Sequence, residues 1–318
     1  MEPIQRIEAR RSSEAASSTM RRTLIIKLGA LGDVLRTTPL LAVLEGNVTW
    51  VTSEAAAPLL TGNPYIDRVY CMENPYDSLL EENFDLVINL EDDLPAASLA
   101  SKVSAESLIG AYLNGDQVAY TESASEWFDM SLISRFGKKK ADELKMNNRR
   151  TYQDFVFSML GRGFHAEEYL LNMPLKKLPI PKLVGLEARA GAVWPMKRWN
   201  KFEALASRLE GAGFQVKTFQ QRDQLRHYAD DINECEYIVC GDTLAMHIGL
   251  ALRKKVVAIF TCTSPYEIFD YQRMIKIVSP LWIDYFYRRD FEPAPADAIS
   301  AQSVFDAVES LSNCRPAI

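Results

Sequence analysis

The sequence is short of cysteine, and what it has is poorly placed to hold anything. Cys71, Cys235, Cys240, Cys262 and Cys314 are odd in number, scattered and never arranged as CxxC, which suits neither a zinc site nor a disulfide framework. Reduced, mostly buried thiols and no metal ligand set are expected. Long apolar runs are also missing. Nothing approaches the roughly 18 to 20 uninterrupted apolar residues of a membrane-crossing helix, and the opening MEPIQRIEARRSSEAASSTM lacks the apolar core of a secretory signal. A cytoplasmic protein is expected, with residues 1–21 as a disordered leader. There is no basic excess: 36 lysines and arginines stand against 42 aspartates and glutamates, a net charge of −6, which argues against an extended nucleic-acid footprint. GxGxxG is absent too, which disfavours a dehydrogenase.

What is present is a globular composition, 318 residues of which 47% are hydrophobic, enough to bury two ordinary cores. Strand-like and helix-like segments alternate, as parallel sheets with crossover helices require. TLIIKL (23–28), VTWVT (48–52), DRVYC (67–71) and DLVINL (85–90) read as strands of one doubly wound unit spanning 22–172. From about 120 the pattern turns helical, notably over 141–164. LNMPLKKLPIPK (171–182) carries three prolines and reads as a semi-rigid linker, placed at 173–182. A second α/β unit follows over 183–298, with strands in LVGLEA, FQVKTF, YIVC, KVVAIF and IKIV, and a last segment covers 299–318. Two such domains leave a cleft at the carboxyl ends of their strands, where sheets of this kind bind ligands.

Three stretches carry chemistry. In KLGALGDVLRTTPLL (27–41) Gly29 and Gly32 allow a sharp turn and close approach to the backbone, and Asp33 stands where a helix is expected to begin. Spacing alone favours Asp33 as a simple helix cap. AGAVWPMKRWNKF (190–202) sets Lys197 and Arg198 between two tryptophans ahead of a helix. CGDTLAMHIGLAL (240–252) sets Gly241, Asp242 and Thr243 at a strand end, with Met246 and His247 in the first turn of the next helix. A helix N-terminus offering free N–H groups suits a diphosphate, and Lys197 is available as a point charge. Singly, plainer readings win: Asp242 as a cap, His247 as a core histidine, the tryptophans as packing. At matching strand ends of two domains, the combination favours a ligand site.

Together LIIKLGALGDVLRTTPLL, TGNPYIDRVY, AGAVWPMKRW and GDTLAMHIGLALRKKVVAIFTCTSP resemble glycosyltransferase family 9, the ADP-heptose:lipopolysaccharide heptosyltransferases and their relatives, from about residue 22 to 280. The resemblance implies a GT-B fold, α/β, with two Rossmann-like doubly wound parallel-sheet domains facing across a cleft. It implies a nucleotide-sugar donor, ADP-heptose, in the C-terminal domain, an acceptor mainly on the N-terminal one, inversion at the anomeric carbon and no obligatory metal. Carried over by position, the base falls on Asp33 and its glycine loop on Gly29 and Gly32. The lysine that stabilises the departing diphosphate falls on Lys197, helped by the turn at Asp242, Thr243, Met246 and His247; Gly191, Arg198 and Gly241 complete the donor site. Such a transfer needs one carboxylate to take the acceptor proton and a cation for the leaving group, with no second acid.

Some positions depart from the family. Glu187-Ala188-Arg189-Ala190-Gly191 replaces an Asn-Pro-Gly-Ala-like loop, placing an acid near the diphosphate or sugar; Leu244 replaces a small residue; TCTSP (261–265) replaces Gly-Pro-Thr. The connection from VKTF to YIVC looks too short for a strand and a helix, which leaves the nucleotide base open. Segment 281–300 carries aromatics and no cysteine, and 300–312 has helical spacing that, by analogy with GT-B chains, packs back across the domain boundary. Lys138, Lys139, Lys140, Lys145, Arg149 and Arg150 read first as a solvated helix face, second as a grip on an acidic acceptor. The leading expectation is an inverting, metal-independent glycosyltransferase acting on a glycan, lipid-linked or small-molecule hydroxyl acceptor in lipopolysaccharide or another glycoconjugate, with at most peripheral membrane contact. Alternatives are a non-catalytic GT-B relative that binds a nucleotide sugar or partner, supported by the altered 187–191 loop, and an epimerase, for which Glu187 or His247 would be the second acid/base group.

Overall fold

The computed structural model describes residues 20–313; Cys314 and all but the last two residues of the expected leader lie outside that range. The first sheet contains β1 (Arg22–Ile26), β2 (Asn47–Thr52), β3 (Arg68–Cys71), β4 (Asn83–Asn89), β5 (Ser104–Asn114) and β6 (Gln117–Tyr120), in spatial order β3-β2-β1-β4-β5-β6. β1 to β5 are parallel, and β6 returns antiparallel beside β5. Leu24, Ile25 and Ile26 of β1 are wholly buried, as a central strand covered on both faces must be. The β5–β6 hairpin was not read from the sequence, although Asn114-Gly115 signalled it: Gly115 makes the turn with φ of 61°, a backbone state that favours glycine.

The helices that position the site here are α1 (Leu31–Thr37), α2 (Leu94–Lys102), α3 (Lys138–Asn147) and α4 (Tyr152–Met159). The helical stretch expected over 141–164 is thus two helices. Thr151 starts the second one by accepting from the Asp154 backbone N–H while the Asp154 carboxylate accepts from the Thr151 N–H, a reciprocal cap that obliges the preceding helix to stop.

The second sheet contains β7 (Ile180–Glu187), β8 (Gln215–Thr218), β9 (Cys235–Gly241), β10 (Lys255–Phe260) and β11 (Met274–Val278), all parallel, in order β11-β10-β9-β7-β8. β7 takes in residues 180–182 of the expected linker, with Pro181 in a stretch where the pairing register breaks, where a missing N–H is tolerated. Its helices are α5 (Phe202–Gly211), α6 (Leu225–Glu234), α7 (Leu244–Ala251) and α8 (Ala301–Asn313). α6 corrects the reading of the β8–β9 connection: the segment is long enough for a ten-residue helix. α8 lays Val304, Ala307, Val308 and Leu311 against Leu205 and Leu209 of α5 and Val257 and Ile259 of β10. Its apolar stripe therefore closes the core under the second sheet instead of bridging the domains.

A larger apolar cluster runs from Leu35 and Leu40 of the first domain through Tyr152 and Tyr169 to Met246, Ile248 and Tyr271 of the second. The strand order reverses at β1 in one sheet and at β7 in the other, and such switch points open a crevice at the strands' carboxyl ends.

Candidate functional site

The two crevices face each other and merge into one cleft of about 1890 Å³. Its first wall comes from the loops after β1, β2 and β4, its second from those after β7, β8, β9 and β10. Gly29, Gly32 and Asp33 line it from one side, and Gly191, Lys197, Asp242, Thr243 and His247 from the other. Three expected residues lie elsewhere. Arg198 is exposed outside the lining, and Met246 is wholly buried in the core. Gly241 sits beneath the loop that carries Lys197: a Cβ there would lie 2.8 Å from the Lys197 carbonyl oxygen, so this glycine lets that loop settle on the end of β9.

The turn after β1 is held from within. Glu91, two residues past the end of β4, accepts from the Leu28 N–H at 2.6 Å and the Gly29 N–H at 3.1 Å, and pairs with the buried Lys27 Nζ at 2.9 Å. The free N–H groups of the turn are thereby spent on a carboxylate, so this loop is no anion cradle. Burial works to lower the Lys27 ammonium, but Glu91 and Asp33 outweigh it and hold it above its ordinary value. At Gly29 a Cβ would meet nothing within 4 Å, whereas at Gly32 it would come 2.4 Å from His247 Cδ2. Gly32 thus serves the packing of α7 on α1, the seam between the domains.

Asp33 does not cap its helix. Ala30 is the N-cap, with no side-chain cap bond, and Asp33 stands three residues inside with Oδ1 3.1 Å from Arg36 Nε. Burial works to raise its carboxyl, but Arg36 and then Lys27 outweigh it, and the group is ionised at neutral pH. Arg36 itself lies over the Tyr152 ring, 4.1 Å from the centroid, and its Nη1 is 3.9 Å from Glu267 Oε2 of the second domain.

On the opposite wall Lys197 donates to Asp242 Oδ2 at 2.6 Å and to the Asp242 carbonyl at 2.9 Å. Burial pushes the Asp242 carboxyl up, yet Lys197 prevails and it falls to about 2. Asp242 is no cap either: Thr243 holds that position on α7, with no side-chain cap bond. His247 is buried with Nδ1 3.3 Å from the Tyr169 hydroxyl; burial, then Arg36, push it down to about 4, so it is neutral. The Trp194 ring meets Tyr287 edge-on at 5.2 Å and has Arg289 over it at 4.9 Å.

The departing loop is neutralised. Glu187, 4% exposed, accepts from Arg189 Nε at 2.8 Å and Nη2 at 2.6 Å and from the Tyr228 hydroxyl at 2.5 Å. The arginine that compensates the acid is only two residues along the chain, and its backbone N–H also donates to Glu187 Oε1 at 2.9 Å. The basic run divides: Lys138 and Lys145 reach the cleft, Lys145 Nζ standing 4.8 Å from the Tyr287 centroid, while Lys140 pairs with Glu143 and Arg150 with Glu126 at the surface. Arg36, Glu91, Tyr228, Glu267 and Tyr287 were not singled out from the sequence. Only Arg36 had a local signal, three residues from Asp33 on one helix face; the others are brought in by long-range pairing. Among the described residues no group of three or more His, Cys, Asp or Glu is placed to hold a metal ion, and no helix is long and apolar enough to cross a membrane.

Residues 221–282 match the model of glycosyltransferase family 9 (heptosyltransferase). Three solved structures are similar over nearly the whole chain. A family 9 glycosyl transferase from Veillonella parvula is 19% identical with a TM-score of 0.65, covering 92% of this chain and 97% of its own. E. coli ADP-heptose lps heptosyltransferase II is 17% identical with a TM-score of 0.60, covering 91% and 98%. E. coli heptosyltransferase WaaC with ADP-2-deoxy-2-fluoro heptose is 16% identical with a TM-score of 0.58, covering 91% and 99%. No curated protein sequence matches. The two facing sheets are the GT-B arrangement of these structures.

Proposed function

From the match of residues 221–282 to glycosyltransferase family 9 and the likeness in fold to solved heptosyltransferases, we propose that this chain is a glycosyltransferase of that family and that its cleft transfers a heptose, or a closely related sugar, from an ADP-sugar to a hydroxyl acceptor with inversion. One observation carries this reading: an ionised Asp33 and the Lys197–Asp242 pair line opposite walls of one cleft. Asp33 takes the proton of the attacking hydroxyl. A carboxylate held low by Arg36 is a weak base, but a nucleoside diphosphate is a good leaving group, so little proton transfer is needed early in the reaction. Lys197, aimed by Asp242, and the backbone N–H groups opening α7 meet the charge that develops on the diphosphate. Lysine supplies that charge itself, and the proposed reaction needs no metal ion.

The donor assignment draws on WaaC, solved with an ADP-heptose analogue. The acceptor lies toward Asp33, where Lys138 and Lys145 suit an acidic group on a glycan or lipid-linked substrate; the enzyme works in the cytoplasm, with at most peripheral membrane contact. The non-catalytic reading drew on Glu187, and Arg189 removes that objection. Calorimetric titration with ADP, UDP and GDP tests the donor site: ADP should bind best, and Lys197→Ala should weaken it by about ten-fold or more. Asp33→Asn should keep ADP affinity and lose about 100-fold or more in transfer from ADP-heptose. Equal binding of the three nucleotides, or an active Asp33→Asn enzyme, would overturn the reading.

A further inference from the structure

Glu267 lies in the segment after β10 and is only 6% exposed, yet it is incompletely satisfied. Its backbone carbonyl accepts from the Tyr152 N–H at 2.9 Å, and its Oε2 stands 3.9 Å from Arg36 Nη1, too far for a hydrogen bond. Its Oε1 is buried without any partner. An unmet buried carboxylate oxygen is costly, and native sites that keep one do so for a reason. Thr243, on the same wall of the cleft, likewise has a buried hydroxyl without a partner.

The two groups select a ligand type between them. A carboxylate accepts and repels phosphate; a threonine hydroxyl both donates and accepts. Sugar hydroxyls answer both demands, whereas a diphosphate answers only the second. The position agrees: through Arg36, Glu267 is one residue removed from Asp33, where the reacting carbon must lie, while the phosphates belong near Lys197. We infer that Glu267, with Thr243 on the same wall of the cleft, forms the subsite that grips hydroxyls of the transferred sugar and so determines which sugar the enzyme accepts. This rests on the donor reading above. Arg36, drawn between Asp33 and Glu267, keeps the empty subsite from bearing an uncompensated charge.

The test compares ADP with ADP-heptose by calorimetry on the full chain, for wild type, Glu267→Gln and Glu267→Asp. Glutamine keeps the size and removes the charge; aspartate keeps the charge opposite Arg36 and withdraws it by one methylene. In both variants ADP should bind within about two-fold of wild type, while the advantage of ADP-heptose over ADP should fall by about ten-fold, the effect of losing a hydrogen bond to a charged acceptor. A merely structural role would move both ligands together. An undiminished advantage in folded variants, or a wild type that binds ADP but gains nothing from the heptose, overturns the subsite and leaves the nucleotide site standing. A wild type that binds neither ligand overturns the donor reading, and the subsite with it.

Discussion

Replacing Gly32 with alanine sets two opposing effects against each other at the domain seam. Alanine inside a helix is worth about 1 kcal/mol over glycine, so α1 taken alone would gain. The new methyl, however, would stand 2.4 Å from His247 Cδ2 and 2.9 Å from Nε2, well inside contact distance. The imidazole has little room to yield: it is 4% exposed, its ring lies near parallel to Tyr169 at 6.1 Å, and its Nδ1 is bonded to the Tyr169 hydroxyl. Overpacking of a held side chain costs about 1–3 kcal/mol, and a contact this short belongs at the upper end. The net expectation is about 2 kcal/mol of destabilisation, a drop in Tm of roughly 4 °C or more. In a His247→Ala background the obstacle is gone, and the same substitution should become neutral or stabilising. Thermal denaturation of the four proteins in the cycle measures this sign reversal. Equal destabilisation in both backgrounds, or none in wild type, would refute the close packing of α7 on α1.

Acid should loosen the same seam. His247 is held near 4 against an ordinary 6.5, so its contribution is fully present above pH 6.5 and is lost as pH falls toward 4, on the order of 3 kcal/mol. Urea denaturation at pH 7 and pH 4.5 should show the loss, and His247→Asn should abolish it; equal pH dependence in the two proteins counts against a buried neutral imidazole. Arg189→Ala should weaken ADP binding by about ten-fold, because it leaves the buried Glu187 charge facing the cleft, and Arg189→Lys should recover part of it. Unchanged affinity in Arg189→Ala would mean that Glu187 lies outside the nucleotide's reach.

Much of the fold was legible because burial on both faces writes continuous apolar runs. TLIIKL became β1 at the centre of its sheet, and KVVAIF became β10, an interior strand of the other. β5 was not legible, since its first four residues are exposed and carry no such run. The β8–β9 helix was missed for another reason: LRHYADDINE has a polar average, and it buries only Ala229 and Ile232 as apolar side chains, with Leu225 and Tyr228 packed half-buried against the core. Of the site, the GALGD, KRW and GDT segments were placed by punctuation alone, and six of their expected residues, with Gly191 and His247 nearby in sequence, do line one cleft. The roles of the glycines were not legible, because a glycine looks the same in sequence whether a ligand, a loop or a histidine approaches it.

The sequence by itself determined the two doubly wound units, the turn that holds Asp33 and the turn that holds Lys197, because periodicity and turn chemistry act within a few residues. Only the tertiary structure decided that Glu91 occupies the turn after β1, that His247 fills the space over Gly32, that Arg189 neutralises Glu187 beside Tyr228, and that Arg36 stands between Asp33 and Glu267. Apart from Arg189, which lies two residues from Glu187, each depends on groups 60 or more residues apart. Their proximity is set by how strands order within a sheet and how two sheets dock, and those are sums over many weak contacts that no local pattern records.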